Sequence, residues 1–190
     1  EWVAKNYFGK IDISFSQELK ALGTGGAVVN ALNFIHGEHF FVINGDTIIN
    51  VNYELMLKFH HKTNADITVG LKLSDIKDNS YGSVIIEKDG RIKSFLEKKV
   101  GKTHNASYYN AGIYIFSKQI LSDDLNVDGE FSIEYDLLPR LLVNKKIYGF
   151  SGVESFHDIG TPARLFSADN AIDKHWLGNV QFYYCNLPKV

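Results

Sequence analysis

Apolar strands alternating with amphipathic helices predict an α/β protein: a three-layer sandwich around a mixed, mainly parallel central sheet, with an inserted β-hairpin. Three observations carry that prediction. A continuous apolar run, Phe40-Phe41-Val42-Ile43, ends on Asn44-Gly45-Asp46 in the manner of a buried parallel strand. Helical spacing flanks it on both sides, at Val28, Ala31, Leu32 and Ile35 and again from about Tyr53 to Lys62. Farther on, Lys88-Asp89-Gly90-Arg91 separates two strand patterns, and Asp-Gly in that position is a strong hairpin signal.

Taken in order, Ile11, Ile13 and Phe15 alternate with Asp12 and Ser14, which predicts a half-buried strand. Leu22-Gly23-Thr24-Gly25-Gly26-Ala27 then opens the first helix. In the second helix Leu55, Met56 and Phe59 share a face. Ala65 to Lys72 reads as the next strand, completing a β-α-β-α-β order. The hairpin comprises Val84 to Glu87 and Ile92 to Leu96, and Tyr108 to Phe116 is a further strand. Helical patterns return near Ser117 to Leu121 and from Ile133 to Leu142. Strands follow at Ile147 to Gly152 and Phe156-His157-Asp158, before a last helix from about Pro162, a favourable first-turn proline. Val180 to Tyr184 reads as a strand or a lid. With no repeat, linker or low-complexity segment, residues 1–190 form one predicted domain.

Composition excludes several functions. The net charge of -2 and the lack of a basic stripe argue against nucleic acid as a partner. No apolar run reaches the ~20 residues of a membrane span. The one cysteine, Cys185, forms no intrachain disulfide or cysteine metal site, in keeping with a reducing, cytoplasmic setting. The chain starts without Met on structured-looking sequence, Glu1-Trp2-Val3, and reads as an internal start.

Several residues are candidates for chemistry. Gly23-Thr24-Gly25-Gly26 allows close approach of a flat or anionic ligand at a helix start, and serves equally as a tight turn. It is not a Walker loop. Asp46 ends an apolar strand, where a carboxylate suits Mg²⁺, although Asn-Gly-Asp is also good turn chemistry. Asp158 sits in a similar setting before Gly160, so the two aspartates are candidates for one metal. Glu97 and Lys98 end the hairpin and point to opposite faces of a regular strand. Asn110, inside a hydrophobic strand, needs hydrogen-bond partners from protein or ligand. His60 and His61 are adjacent, on different helix faces, and read as surface residues; His157 reads as structural.

In order, these pieces resemble the sugar-nucleotidyltransferase (nucleoside-diphosphate-sugar pyrophosphorylase) family. The likeness rests on Glu18 with Leu22 to Ala27, then Phe41 to Asp46, Tyr81-Gly82, Phe95-Leu96-Glu97-Lys98, Asn110-Ala111-Gly112-Ile113-Tyr114, and Phe156 to Pro162. It covers Ile11 to about Ile172. The resemblance implies a Rossmann-like (GT-A-like) fold and in-line attack of a sugar 1-phosphate oxygen on the α-phosphorus of a nucleoside triphosphate. It implies that Gly23, Thr24, Gly25 and Gly26 lie against the base with Glu18 nearby, Leu22, Asn44 and Gly45 completing the nucleotide side. It places Asp46 and Asp158 on Mg²⁺, and Tyr81, Gly82, Glu97, Asn110, Ala111 and Gly112 around the sugar. Lys98 contacts the sugar phosphate. The glycine-loop form looks closest to the bacterial mannose-1-phosphate and D-glycero-D-manno-heptose-1-phosphate guanylyltransferase branch, implying GTP and polysaccharide biosynthesis.

Two departures bear on activity. The family's Gly-x-Gly-x-Arg phosphate loop and first strand are not among these residues, and Lys99 stands where many members have proline. A chain with these residues alone is expected to bind triphosphate poorly and turn over little. A non-catalytic nucleotide-sugar-binding or regulatory module of the same fold is the alternative. Homo-oligomerisation is compatible with either.

Overall fold

The computed structural model describes residues 12–73, 83–96, 108–123 and 129–171. In chain order its elements are helix α1 (Gly23–Ala31) with a 3₁₀ turn (Leu32–Phe34), strands β1 (His39–Ile43) and β2 (Thr47–Val51), helix α2 (Tyr53–Thr63) and strand β3 (Ile67–Leu73). The hairpin β4 (Ser83–Ile86) and β5 (Ile92–Leu96) precedes the long strand β6 (Tyr108–Ser117) and the short helix α3 (Gln119–Asp123). A π-helical turn (Ile133–Leu137) runs into α4 (Leu138–Leu141), followed by β7 (Ile147–Phe150), β8 (Val153–Asp158) and α5 (Pro162–Ala171). No described helix is long and apolar enough to cross a membrane.

β6 is the centre of a six-stranded sheet of order β5-β4-β6-β3-β7, with β1 also paired to β6. Along one edge β6 meets β3; along the other it meets β1 through residues 113–117 and β4 through residues 108–109. The predicted mixed α/β sandwich is therefore present. β1, β3, β4 and β7 all run one way, while β5 and β6 run opposite. The expected parallel neighbour of Phe40–Ile43 is not found among the described residues. β1 and β3 do point the same way, as a crossover through α2 requires, but β6 lies between them. β1 thus pairs antiparallel, and direct parallel pairing occurs between β3 and β7.

Both faces of this sheet are covered, which makes three layers. Tyr114 and Phe116 of β6, with Ile67, Val69 and Leu71 of β3, pack beneath Val28 and Val29 of α1 and Ile133, Leu137, Leu138 and Leu141. The alternate residues Ala111, Ile113 and Ile115 face Met56 of α2, Val51 of β2 and Val153 of β8. β2 and β8 form their own antiparallel ribbon on that second face.

α2 begins where the Asn52 side chain accepts the Leu55 amide at 2.9 Å, and ends at Asn64 in the left-handed region at φ 48°. Its buried face differs from the expected one. Met56 and His60 are buried, whereas Leu55 is 54% exposed. The expectation that His60 is a surface residue fails for the same reason: its position on the helix points it at Thr68 of β3.

The strand expected over Ile11–Phe15 is also corrected. Ile11 lies outside the described residues, and residues 12–18 have no regular structure, with Phe15 72% exposed. Alternation marks an amphipathic segment, but a strand needs a neighbour to complete its hydrogen bonds. This segment is instead tied to α1 by side chains: Asn30 Nδ2 donates to Ser16 Oγ at 2.7 Å, and the Leu22 amide donates to Glu18 Oε2 at 3.0 Å.

Candidate functional site

The site forms where β6 changes partner. Val69 faces Tyr114 and Leu71 faces Asn110, so Ala111, Gly112 and Ile113 stand against Gly70 alone. This bulge bends β6 away from β1 and toward β4. Gly112 occupies φ 71°, and a Cβ there would sit 2.7 Å from Asn44 Nδ2. Only glycine fits both demands. The diverging ends of β1 and β4 open a crevice of the kind that holds ligands in open α/β sheets. It is a cavity of about 350 Å³, lined by Asn44, Ser83, Asn110, Gly112, Tyr114 and Glu134 and walled by Phe95, Leu96, Tyr135 and Pro139.

A directed hydrogen-bond chain runs along its floor. Asn110 Oδ1 accepts the Gly112 amide at 3.0 Å, and Asn110 Nδ2 donates to the Tyr114 hydroxyl at 2.7 Å. That hydroxyl donates in turn to Glu134 Oε1 at 2.6 Å, a short, charge-assisted bond. Burial, and then the Glu134 carboxylate, push the Tyr114 hydroxyl well above its ordinary range, so it stays a neutral donor. Each amide atom of Asn110 thus has one protein partner, with a second Nδ2 proton left over on a side chain that lines the cavity.

Glu134 is held from its other side. Oε2 accepts Thr24 Oγ1 at 3.2 Å and Ser132 Oγ at 2.9 Å, and Ser132 caps the π-helical turn through the Glu134 and Tyr135 amides. Thr24 brings in the glycine loop, which forms the first turn of α1. Its glycines meet Phe131. A Cβ at Gly23 would lie 2.4 Å from the Phe131 carbonyl oxygen, and one at Gly25 2.3 Å from the Phe131 ring. The Gly25 amide donates to that carbonyl at 3.0 Å, satisfying a helix-start donor. Close packing thus gives these glycines a structural role.

The two candidate metal aspartates do converge. Pairing of Thr47 with Asp158 in the β2–β8 ribbon brings the Asn44-Gly45-Asp46 turn to the end of β8, where the Ile159 amide donates to the Asp46 carbonyl at 2.8 Å. A Cβ at Gly160 would lie 2.7 Å from Asp46 Oδ2 and 3.3 Å from Asp158 Oδ1, so the missing side chain leaves a gap between both carboxylates. The Asp46 side chain makes no hydrogen bond to a described residue. Asp158 accepts the Gly160 amide at 2.9 Å and an ion pair from Arg164 at 2.6 Å. Two hard oxygen donors around an open gap fit a Mg²⁺ that takes its other ligands from phosphate and water. Among the described residues no group of three or more His, Cys, Asp or Glu side chains forms a metal cage. Asn44 belongs to the cavity and Asp46 to the carboxylate pair, and two residues of chain keep their Cα atoms within about 7 Å.

Of the sequence-predicted residues, Asn44, Asn110 and Gly112 line the cavity, Ala111 lies buried beneath it, and Gly45 joins Asn44 to Asp46. Glu18, Leu22 and Gly26 stay with the α1 loop. Tyr81, Gly82, Glu97 and Lys98 lie outside the described residues, as does the segment Val180–Tyr184. Tyr114, Glu134 and Ser83 line the cavity as well, beyond the residues that the sequence singles out. A tyrosine inside an apolar strand was the available signal, since a buried hydroxyl needs a partner.

Residues 2–175 match the family model described as Nucleotidyl transferase. The chain is 35% identical over 162 residues to the D-glycero-alpha-D-manno-heptose 1-phosphate guanylyltransferase of Aneurinibacillus thermoaerophilus, covering 83% of this chain and 68% of that one. It is 31% identical to the mannose-1-phosphate guanylyltransferase of Mycobacterium tuberculosis, over 80% of this chain but 42% of that one. The crystal structure of HddC from Yersinia pseudotuberculosis superposes with a TM-score of 0.75 at 31% identity, covering 90% of this chain and 72% of that one, and the same holds for HddC complexed with GMP-PN.

Proposed function

The chain belongs to the nucleotidyl transferase family, and from that premise we propose that it transfers a nucleotidyl group from GTP to a mannose- or heptose-type sugar 1-phosphate, giving a nucleotide-sugar and pyrophosphate. The observation that carries this reading is the continuity of the two halves of the site. A sugar-sized cavity built on Asn44, Asn110 and Gly112 is joined by one short turn to the carboxylate pair Asp46 and Asp158. The names of the heptose- and mannose-1-phosphate relatives, and the HddC complex with GMP-PN, support guanine and that sugar class.

In this reading the cavity orients the sugar through its asparagine amides, and α1 with its glycine loop borders the base. Asp46 and Asp158 hold Mg²⁺, which when bound neutralises phosphate charge. Transfer of this kind needs alignment and charge neutralisation more than a covalent nucleophile. The family resemblance adds Lys98 for the sugar phosphate and Tyr81, Gly82 and Glu97 for the sugar, all four outside the described residues.

The test is pyrophosphate release by the full-length protein with GTP and mannose or heptose 1-phosphate, in a panel with other triphosphates. Release is expected to need Mg²⁺ and to fall on the order of a hundredfold or more in Asp46→Ala. Full activity of that variant would remove the metal assignment. Tight nucleotide-sugar binding with no turnover would establish a binding module instead.

A further inference from the structure

Glu134 stands between the two parts of the site that the proposed reaction must bring together. Through Oε1 it receives the Tyr114 hydroxyl at 2.6 Å, and through that hydroxyl it orients Asn110. Through Oε2 it receives Thr24 Oγ1 at 3.2 Å, and the Thr24 oxygen also accepts the Ile133 amide at 2.9 Å. Both carboxylate oxygens are therefore committed, one to β6 and one to the first turn of α1. A further bond from Ser132 Oγ fixes the carboxylate against the π-helical turn that carries it.

The chain of bonds has a direction. The Tyr114 proton goes to Glu134, so the Tyr114 oxygen can only accept, and Asn110 must present its NH₂ group to it. Asn110 Oδ1 is left for the Gly112 amide. Thr24 and Asn110 are thus linked through one carboxylate by consecutive hydrogen bonds. We propose that Glu134 is a positioning residue that couples the glycine loop to the sugar cavity, so that nucleotide and sugar 1-phosphate each tighten binding of the other. This rests on the reading above, with α1 on the nucleotide side and Asn110 on the sugar side. Linkage makes the effect reciprocal, whichever ligand arrives first.

The experiment is calorimetric titration of mannose 1-phosphate into the protein, alone and saturated with a GTP analogue whose α,β bridge cannot be cleaved. The readout is the ratio of the two affinities. The wild-type ratio is expected to be roughly five- to tenfold in favour of the nucleotide-bound protein, at the lower end of measured couplings. Glu134→Gln replaces one acceptor with a donor and should bring the ratio to about one. Thr24→Val cuts the link at its α1 end and should do the same, giving a second variant if the first fails to fold. A loss that is merely structural weakens both affinities and leaves their ratio intact. A wild-type ratio of one, or a wild-type ratio preserved in the variants, overturns the inference alone. Failure of the full-length wild-type protein to bind either ligand overturns the proposed function, and the coupling with it.

Discussion

His60 shows how one side chain can tie stability to pH. Its Nε2 lies 3.0 Å from His39 Nδ1 and its Nδ1 lies 2.8 Å from Thr68 Oγ1. Two imidazole nitrogens at that separation share one proton, because a second would set N–H against N–H and charge against charge. Burial first, then His39 and His61, depress His60 to about 4, and the opposing pull of Asp66 does not offset them. In the unfolded chain the ring titrates near its ordinary 6.5, so as pH falls the unfolded state takes up the proton first. The stabilisation is whole above 6.5 and is lost as pH falls toward the folded value. Between about pH 7.5 and about pH 5 the loss is on the order of 2 kcal/mol. Urea unfolding at the two pH values measures it, and His60→Gln, which cannot titrate, should flatten the difference. An unchanged slope in that variant would mean that other groups set it. The buried role was not legible in the sequence: adjacency of His60 and His61 says that they face different ways, but not which of them meets β3.

At the scale of elements, α1 is a helix that its own composition does not favour. Gly25 and Gly26 in its first turn each cost roughly 1 kcal/mol of helix propensity relative to alanine, while Gly23, at φ 72°, starts it in a conformation that favours glycine, so docking against Phe131 has to hold the helix. Gly25→Ala tests that account, since it would improve propensity on an isolated helix. In the protein its methyl would fall 2.3 Å from the Phe131 ring, so a net destabilisation of about 1–3 kcal/mol is expected. Phe131→Leu should recover part of it in the double variant, and simple additivity of the two changes would refute the contact. The helix, the hairpin, and Asp46 and Asp158 at strand ends were readable from spacing, because those features are local. Their partners were not. Phe131 meets Gly25 from a distant part of the chain, and the aspartates converge only through the Thr47–Asp158 register of the β2–β8 ribbon. The same limit explains the failed strand near Ile13: its alternation is real, but nothing in it reports a pairing neighbour.

For the whole molecule, β6 makes one object of core and site. Its C-terminal half is clasped by β1 and β3, its first residues by β4 and β3, and the bulge at Ala111–Ile113 that lets it change neighbour also underlies the cavity. Tyr114, Ile115 and Phe116 are fully buried and lie between paired strands on both edges. Their amides should therefore open to solvent only when the sheet itself unfolds. Residues 12–18, held by side-chain contacts and without regular structure, should exchange at almost the unprotected rate. Hydrogen exchange read by mass spectrometry would then rank β6 and β3 slowest, β1 and the hairpin intermediate, and residues 12–18 fastest. Protection in β1 that exceeds β6 would place the folding core elsewhere. Because the bulge is continuous with the most protected segment, the backbone under the cavity is held in place, and the side chains of Tyr114 and Asn110 are what turn upon it. Ligand-dependent movement should then appear at α1 and the π-helical turn, as altered exchange near Thr24 and Ser132 with β6 unchanged.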